Sequence, residues 1–253
     1  MTPPLRVYPV RALVLRRHNL GETDRIVRLF TREHGKVDAI AKGARGPRSR
    51  LSGATEPFVR LRAQLSKGQN LEVLTQAVVE DSYPELRKEL MRVGYASYFL
   101  EVVDVGLEDR QEAPGLWDLL SEVLRLLERA TAPELLARAF EWRALVEFGY
   151  EPRLDECVVD GAPVQGAGIV FHPQRGGMLC PRCAASQRGG IRLLPDSVQA
   201  LQELPGLPLA AAARASLPPA VARQVTACLV GSVRQHLGAD LRTLRFLDEV
   251  QPK

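Results

Sequence analysis

The hydrophobic period of this chain changes once, at Tyr83, and that change restricts it to a β module followed by helices. Upstream, apolar and polar residues alternate. Residues 57–65 show it best, with Phe58, Val59, Leu61, Ala63 and Leu65 against Arg60, Arg62 and Gln64. Residues 25–31 interleave Ile26, Val27, Leu29 and Phe30 with Arg25, Arg28 and Thr31. Segments 7–15, 36–41 and 71–79 complete five short strands, divided by turn signals such as Glu33-His34-Gly35 and Lys67-Gly68-Gln69-Asn70. Five strands at this spacing predict a small barrel over residues 1–80. The OB-fold is a five-stranded barrel of that size, used on single-stranded nucleic acids.

Downstream the apolar residues recur at helical spacing. One helix is expected from Pro84 to about Gly106 and a second from Pro114. A third begins after Thr131-Ala132-Pro133-Glu134, read as an N-cap followed by proline, and ends at Gly149. Helical patterning resumes at Pro195, gives way to a loop-rich stretch over 204–220, and ends in a last clear helix over 221–237. The fold class expected is therefore α+β and multidomain. It comprises an N-terminal OB-fold barrel (1–80), an α-helical bundle (81–150 and 191–253) and a zinc-ribbon-like insertion (151–190).

That insertion carries three of the four cysteines. Cys180-Pro181-Arg182-Cys183 has the C-x-x-C bite that lets two thiolates hold one tetrahedral zinc. Cys157 stands about twenty residues upstream. The second position of its knuckle is Asp160 rather than cysteine, and a carboxylate oxygen also binds zinc. Cys157, Asp160, Cys180 and Cys183 are thus the candidate ligands of one structural zinc, with His172 as the competing fourth ligand. Cys228 falls in a helical stretch and reads as core. Four cysteines in 253 residues do not make a disulfide scaffold, which fits a reducing compartment. With no membrane-length apolar run and no apolar signal core near the N-terminus, a cytoplasmic, nucleoid-associated protein without membrane contact is expected.

The formal net charge of +4 hides an asymmetry. Residues 1–80 hold 15 Lys and Arg against seven Asp and Glu, a net +8 that leaves −4 for the rest. A basic block of this kind points to a polyanion, nucleic acid first. Lys42, Arg45, Arg48 and Arg50 lie among Gly43, Gly46 and Pro47, off the regular strands, where they can reach phosphates. Arg25, Arg28, Arg60 and Arg62 are expected on one outer face of the barrel, and Arg25 and Arg28 are candidates to help Lys42, Arg45, Arg48 and Arg50 bind DNA. The block's sparse aromatics, Tyr8, Phe30 and Phe58, favour backbone contact over base stacking. Glu22 and Asp24 read as a solvated turn or an ion pair. The sequence has no nucleophile elbow, phosphate-binding loop or metallohydrolase helix, and its four histidines are scattered. A non-enzymatic protein is expected. The alternative class is a zinc-containing nucleic-acid enzyme or an RNA-binding translation factor.

One series of residues carries a family likeness. Gly21-Glu22-Thr23-Asp24-Arg25-Ile26-Val27 runs into Leu29-Phe30-Thr31 and Gly35, then Ala41-Lys42-Gly43-Ala44-Arg45. With Phe171, Gly176-Gly177 and the Cys180/Cys183 pair following in order, the chain resembles the bacterial RecO recombination mediators over nearly its whole length. Asp160 departs from that family's four-cysteine pattern. The resemblance implies an N-terminal OB-fold, binding of single- and double-stranded DNA, and annealing of complementary strands. It also implies partnership with RecR and RecF in loading RecA onto DNA coated by single-stranded DNA-binding protein. The acidic tail of that coat protein would meet the helical body, where Arg87, Lys88, Arg92, Arg125, Arg129, Arg138 and Arg143 accompany the apolar stripes.

Overall fold

The structure, a computed structural model, describes residues 7–250 apart from Ala239 and the side chain of Asp248. Five strands come first: β1 (Val7–Leu20), β2 (Asp24–Thr31), β3 (Gly35–Ala41), β4 (Arg60–Ser66) and β5 (Glu72–Asp81), with the short helix α1 (Leu51–Ala54) between β3 and β4. They close into a barrel in the order β1-β2-β3-β5-β4. All neighbours are antiparallel except β3 and β5, which meet in a short parallel seam at Ala39↔Glu72 and Ile40↔Val73. This is the barrel expected for the basic block.

Strand β1 is five residues longer than its apolar run. Its first half pairs with β4 and its second with β2, and the register shifts between Val14 and Arg16. The polar residues Arg16 to Asn19 are held by the β2 ladder, a tertiary cause that side-chain pattern does not display. The interior is filled by the alternate positions Val10, Ala12, Val14, Val27, Leu29, Leu61, Ala63 and Leu65. Leu13 and Phe30 sit opposite each other on β1 and β2, outside that interior cluster, and are nevertheless fully buried.

The helices α2 (Leu90–Gly106), α3 (Pro114–Leu127) and α4 (Pro133–Glu147) follow. Residues Pro84–Lys88 form a separate 3-10 turn, because Glu89 is extended (φ −131°, ψ 127°) and interrupts the expected single helix. The N-cap of α4 is Ala132, and no side chain caps it, so Thr131 does not serve as its cap. Next come the small sheet β7-β6-β8 (β6 Val170–His172, β7 Gly177–Leu179, β8 Ile191–Arg192) and α5 (Pro181–Ala185). Helices α6 (Pro195–Glu203), α7 (Leu209–Ala212), α8 (Pro219–Leu237) and α9 (Arg242–Val250) complete the chain. The amphipathic α9 lies beyond the expected last helix.

By compactness the chain divides into two units, residues 1–128 and 129–253. In the first, α2 and α3 pack on each other and α2 also contacts β1. An ion network ties α2 to the barrel. Arg28 makes a two-pronged contact with Asp38 (2.8 and 2.7 Å) and reaches Asp104 of α2 at 3.2 Å. Arg16 meets Asp104 at 3.1 Å. Lys36, only 4% exposed, donates to the Asp104 carbonyl and stands 3.6 Å from its carboxylate. Hydrogen bonding to Asp38 raises the Arg28 guanidinium pKa, burial lowers that of Lys36, and Arg28 holds the Asp38 carboxyl below its usual 3.8.

Breaking a buried ion pair costs about 3–5 kcal/mol, and this one keeps some water contact, so Arg28→Ala is expected to cost about 2 kcal/mol at neutral pH. Because the folded-state pKa of Asp38 is depressed, its contribution is complete above the unfolded carboxylate pKa and lost as pH falls through the folded value. The gap between parent and Arg28→Ala should therefore narrow below about pH 4. Urea unfolding at neutral and acid pH measures it, and a gap constant with pH contradicts the assignment.

Candidate nucleic-acid interface and metal centre

The basic loop is built by a pin between two turns. Asp24, where β2 begins, accepts hydrogen bonds from the Gly43 N–H (2.8 Å) and the Thr23 hydroxyl (2.9 Å). The Gly43 N–H, first among its partners, holds the Asp24 carboxyl below the ordinary range. Arg45 donates its own N–H to the Thr23 carbonyl (2.9 Å) and its guanidinium to the Gly21 carbonyl (2.5 Å). Ala44 is fully buried and joins the barrel core. Gly43 sits at φ +64°, in the left-handed region that glycine adopts at least cost. The loop is thus anchored in its middle, and the solvated acidic turn expected at Asp24 is part of its frame.

Anchoring leaves the cations outward. Lys42, Arg45, Arg48 and Arg50 are all exposed. Among the described residues, Lys42, Arg48 and Arg50 have no hydrogen-bond or ion-pair partner for their charged ends, while Arg45 is held by the Gly21 carbonyl.

The structure separates the other two candidates from this group and from each other. Arg25 has the parity of Val27 and Leu29, which fill the interior, so it points inward at the barrel's end. It is 9% exposed and donates to the Ser52 carbonyl, the Thr55 hydroxyl and Glu56, fixing α1. Arg17 shares Glu56 at 3.0 Å. Arg28 has the opposite parity, faces outward and is committed to Asp38 and Asp104. Four arginines on one outer face is therefore corrected: an odd spacing along a strand cannot place Arg25 and Arg28 together. Arg60 and Arg62 do share a face, and both pair with Glu80.

The cysteine candidates converge. Ligand atoms of Cys157, Asp160, Cys180 and Cys183 all lie within 4.8 Å of one another. Two tight turns create this. In the first, the Gly161 N–H donates to the Cys157 carbonyl (2.9 Å), with Gly161 at φ +70°. In the second, Cys180 precedes α5 and Cys183 lies in its only turn and a half. The first turn is clamped to β7 through Val158 N–H to Met178 carbonyl (2.9 Å). A Cβ on Gly177 would lie 2.4 Å from the Arg153 carbonyl, so only glycine lets the strand approach this closely.

All three thiols are buried. Asp160 accepts from Cys183 at 3.1 Å and Cys180 at 3.5 Å, and from Arg182 at 2.6 Å. Arg182, then the Cys157 and Cys183 thiols, hold the Asp160 carboxyl far below the carboxylate range. Hydrogen bonding to Asp160, then burial, pushes the Cys183 thiol up to about 12. Three soft donors and one hard donor at this spacing fit one tetrahedral divalent ion with no open position. His172 lies outside the cluster; its Nε2 is 3.3 Å from the Arg188 carbonyl. Cys228 is buried in α8, as expected of a core residue.

The chain thus combines a closed five-stranded barrel carrying a pinned cationic loop with a helical region that contains a three-cysteine, one-aspartate cluster. Comparison with known proteins gives the family. Residues 5–83 match the family described as "Recombination protein O N terminal" and residues 87–245 "Recombination protein O C terminal". The chain is 36% identical over 250 residues to the DNA repair protein RecO of Symbiobacterium thermophilum, covering 98% of this chain and 99% of that one. It is 39% identical over 246 residues to the DNA repair protein RecO of Anaeromyxobacter sp. (strain Fw109-5), covering 95% of each. The chain belongs to the RecO family of DNA repair proteins. Among the described residues no helix is long and apolar enough to cross a membrane.

Proposed function

We propose that this protein binds DNA through the cationic loop of its barrel and anneals complementary single strands. With RecR and RecF it then helps load RecA onto DNA coated by single-stranded DNA-binding protein. The observation that carries this reading is the pinned loop, which presents Lys42, Arg48 and Arg50 outward with no hydrogen-bond or ion-pair partner for their charged ends among the described residues. Two strands repel until cations screen them, after which pairing is downhill, so annealing needs neither an ATP site nor a catalytic centre. Contacts to phosphate position a strand without reading its sequence, which suits a mediator that must act anywhere on damaged DNA, single- or double-stranded. Such a protein works in the cytoplasm at the nucleoid. Arg25 and Arg28 serve from behind, one fixing α1 and the other holding α2 to the barrel.

Replacing Lys42, Arg45, Arg48 and Arg50 together by alanine should weaken binding to every DNA sequence about equally. At about 0.7 counterions released per single-strand phosphate, the slope of log affinity against log salt should fall in magnitude by up to about three. Equal annealing and an equal salt slope in the folded variant would move the interface elsewhere.

We also propose that Cys157, Asp160, Cys180 and Cys183 hold one structural zinc, which ties the two turns together and so contributes to folding. Purified protein should contain one zinc per chain, and a chelator should lower its melting temperature. His172→Ala should keep the metal, whereas Cys183→Ser should lose it. Retention of metal by Cys183→Ser with loss in His172→Ala would replace the ligand set.

We further propose that the acidic tail of single-stranded DNA-binding protein meets the helical body. Most cations expected there are already engaged: Arg92 with Glu89, Arg143 with the Ala139 and Leu207 carbonyls, Arg87 with the Ser82 and Pro57 carbonyls. Arg138, paired with Glu141 but with an unpartnered Nε, borders a cavity of about 240 Å³ with Leu135, Leu217 and Ala222. Glu134 also lines this cavity, so the apolar walls are offered to the aromatic residue of the tail and Arg138 to its terminal carboxylate. Titration with the tail peptide should show binding at low salt that weakens as salt is added. Leu217→Glu, which puts a like charge at the rim, should abolish it, and equal binding by that variant would remove the cavity from consideration.

A further inference from the structure

The charge of this chain falls into three blocks, not two. Residues 81–160 carry 18 Asp and Glu against nine Lys and Arg, whereas residues 161–253 carry ten Lys and Arg against five Asp and Glu. No acidic residue occurs in 161–195 or in 204–238, stretches that together hold seven arginines. Within the second unit, the positive excess thus lies in residues 161–253, with most of its arginines in the cysteine module and α8.

Two of those arginines meet at a cavity of about 410 Å³. Its walls include His172 and Gln174 at the end of β6, Arg188 and Gly190 ahead of β8, and Arg234 and Gln235 on α8. Close packing sets its shape. A Cβ on Gly190 would lie 2.6 Å from Val170 Cγ1, and one on Gly231 would lie 3.0 Å from Pro173 Cγ. His172 is 7% exposed, with Nε2 3.3 Å from the Arg188 carbonyl, so its ring sets the backbone that carries Arg188. Its Nδ1 is buried with no partner. Arg188 and Arg234 are exposed, and among the described residues neither guanidinium has a hydrogen-bond or ion-pair partner. No acidic side chain lines the cavity.

Paired guanidinia without a counter-charge, flanked by two amide side chains, make a site for an oxyanion. Each planar fork matches two oxygens of a phosphate. The lining has no aliphatic side chain larger than proline and no phenyl or indole ring, so it offers a peptide nothing on which to bury an apolar residue. A single anion also leaves the remaining arginines unexplained, whereas a strand carries repeated charge along such a surface.

We propose that this cavity takes a phosphate of a nucleic-acid strand, giving the second unit a strand contact separate from the barrel loop. The proposal rests on the annealing reading for its choice of nucleic acid as the source of the phosphate. Pairing needs two strands held, and one contact in each unit supplies two.

The test uses the full-length protein, a labelled oligothymidylate and a salt series. Arg188→Ala with Arg234→Ala should weaken binding about tenfold at low salt and reduce the salt slope by about 0.7, the share of one single-strand phosphate. Gln235→Glu, at an exposed helix position, exchanges one amide of the cavity for a negative charge, so it should weaken binding as well. Circular dichroism checks the fold of each. If either folded variant binds with the parent's affinity and slope, the proposal is overturned. Calorimetry with adenosine monophosphate separates the sources. Binding of the mononucleotide that the double variant loses, with strand binding intact, overturns the strand assignment in favour of a free nucleotide. The same substitutions in the quadruple loop variant keep the two claims apart. A failed barrel reading leaves the loop variant at parent affinity while the cavity changes still weaken it, and a failed cavity reading gives the reverse.

Discussion

Closure of the barrel through β1 is the constraint from which the rest of the first unit follows. A single strand of 14 residues pairs with β4 over its first half and with β2 over its second, shifting register between Val14 and Arg16 to serve both. Closure removes the free strand edges that would otherwise template association. It also sets the hairpin turn at Gly21 beside the loop that follows β3, where Asp24 captures the Gly43 N–H and Arg45 captures the Gly21 carbonyl. Without that register the turn and the loop have no reason to meet, and the cations of residues 42–50 have no fixed base.

Much of this was legible in the sequence, and the exceptions have physical causes. The strands showed themselves by inward residues of period two, and the helices by apolar stripes and N-terminal prolines. The cysteine cluster showed itself because a C-x-x-C turn fixes its own geometry, and Asp160 sits where a turn of the same span places it. Failures came where tertiary structure overrides local pattern. The second half of β1 is polar and owes its extension to the ladder with β2. The break at Glu89 follows an apparently continuous helical stripe. The partner of Arg28 on α2, Asp104, lies 76 residues away and leaves no local signal. Parity alone could have placed Arg25 and Arg28 on opposite faces, since their spacing of three is odd.

The arginines thus divide by what they face. Arg25, Arg28 and Arg92 are committed to carboxylates and carbonyls of the chain itself, where their charge holds elements together. Those of the barrel loop and of the cavity beside α8 are exposed and, apart from Arg45, unpartnered. Composition counts both kinds alike, and only the structure shows which remain to meet a polyanion. The acidic middle of the sequence supplies several of the internal partners, Asp104, Asp109 and Glu89 among them, so the excess positive charge survives at the two ends.

The central claim is that DNA meets the exposed loop and not the arginines behind it. Nitrogen-15 NMR of arginine side chains, with the full-length protein titrated by an oligothymidylate, reads this directly. The Nε–H signals of Arg48 and Arg50 should shift progressively with DNA and return when salt is added, while those of Arg25 and Arg28 stay in place. Shifts at Arg25 or Arg28 with Arg48 and Arg50 unmoved would contradict the account.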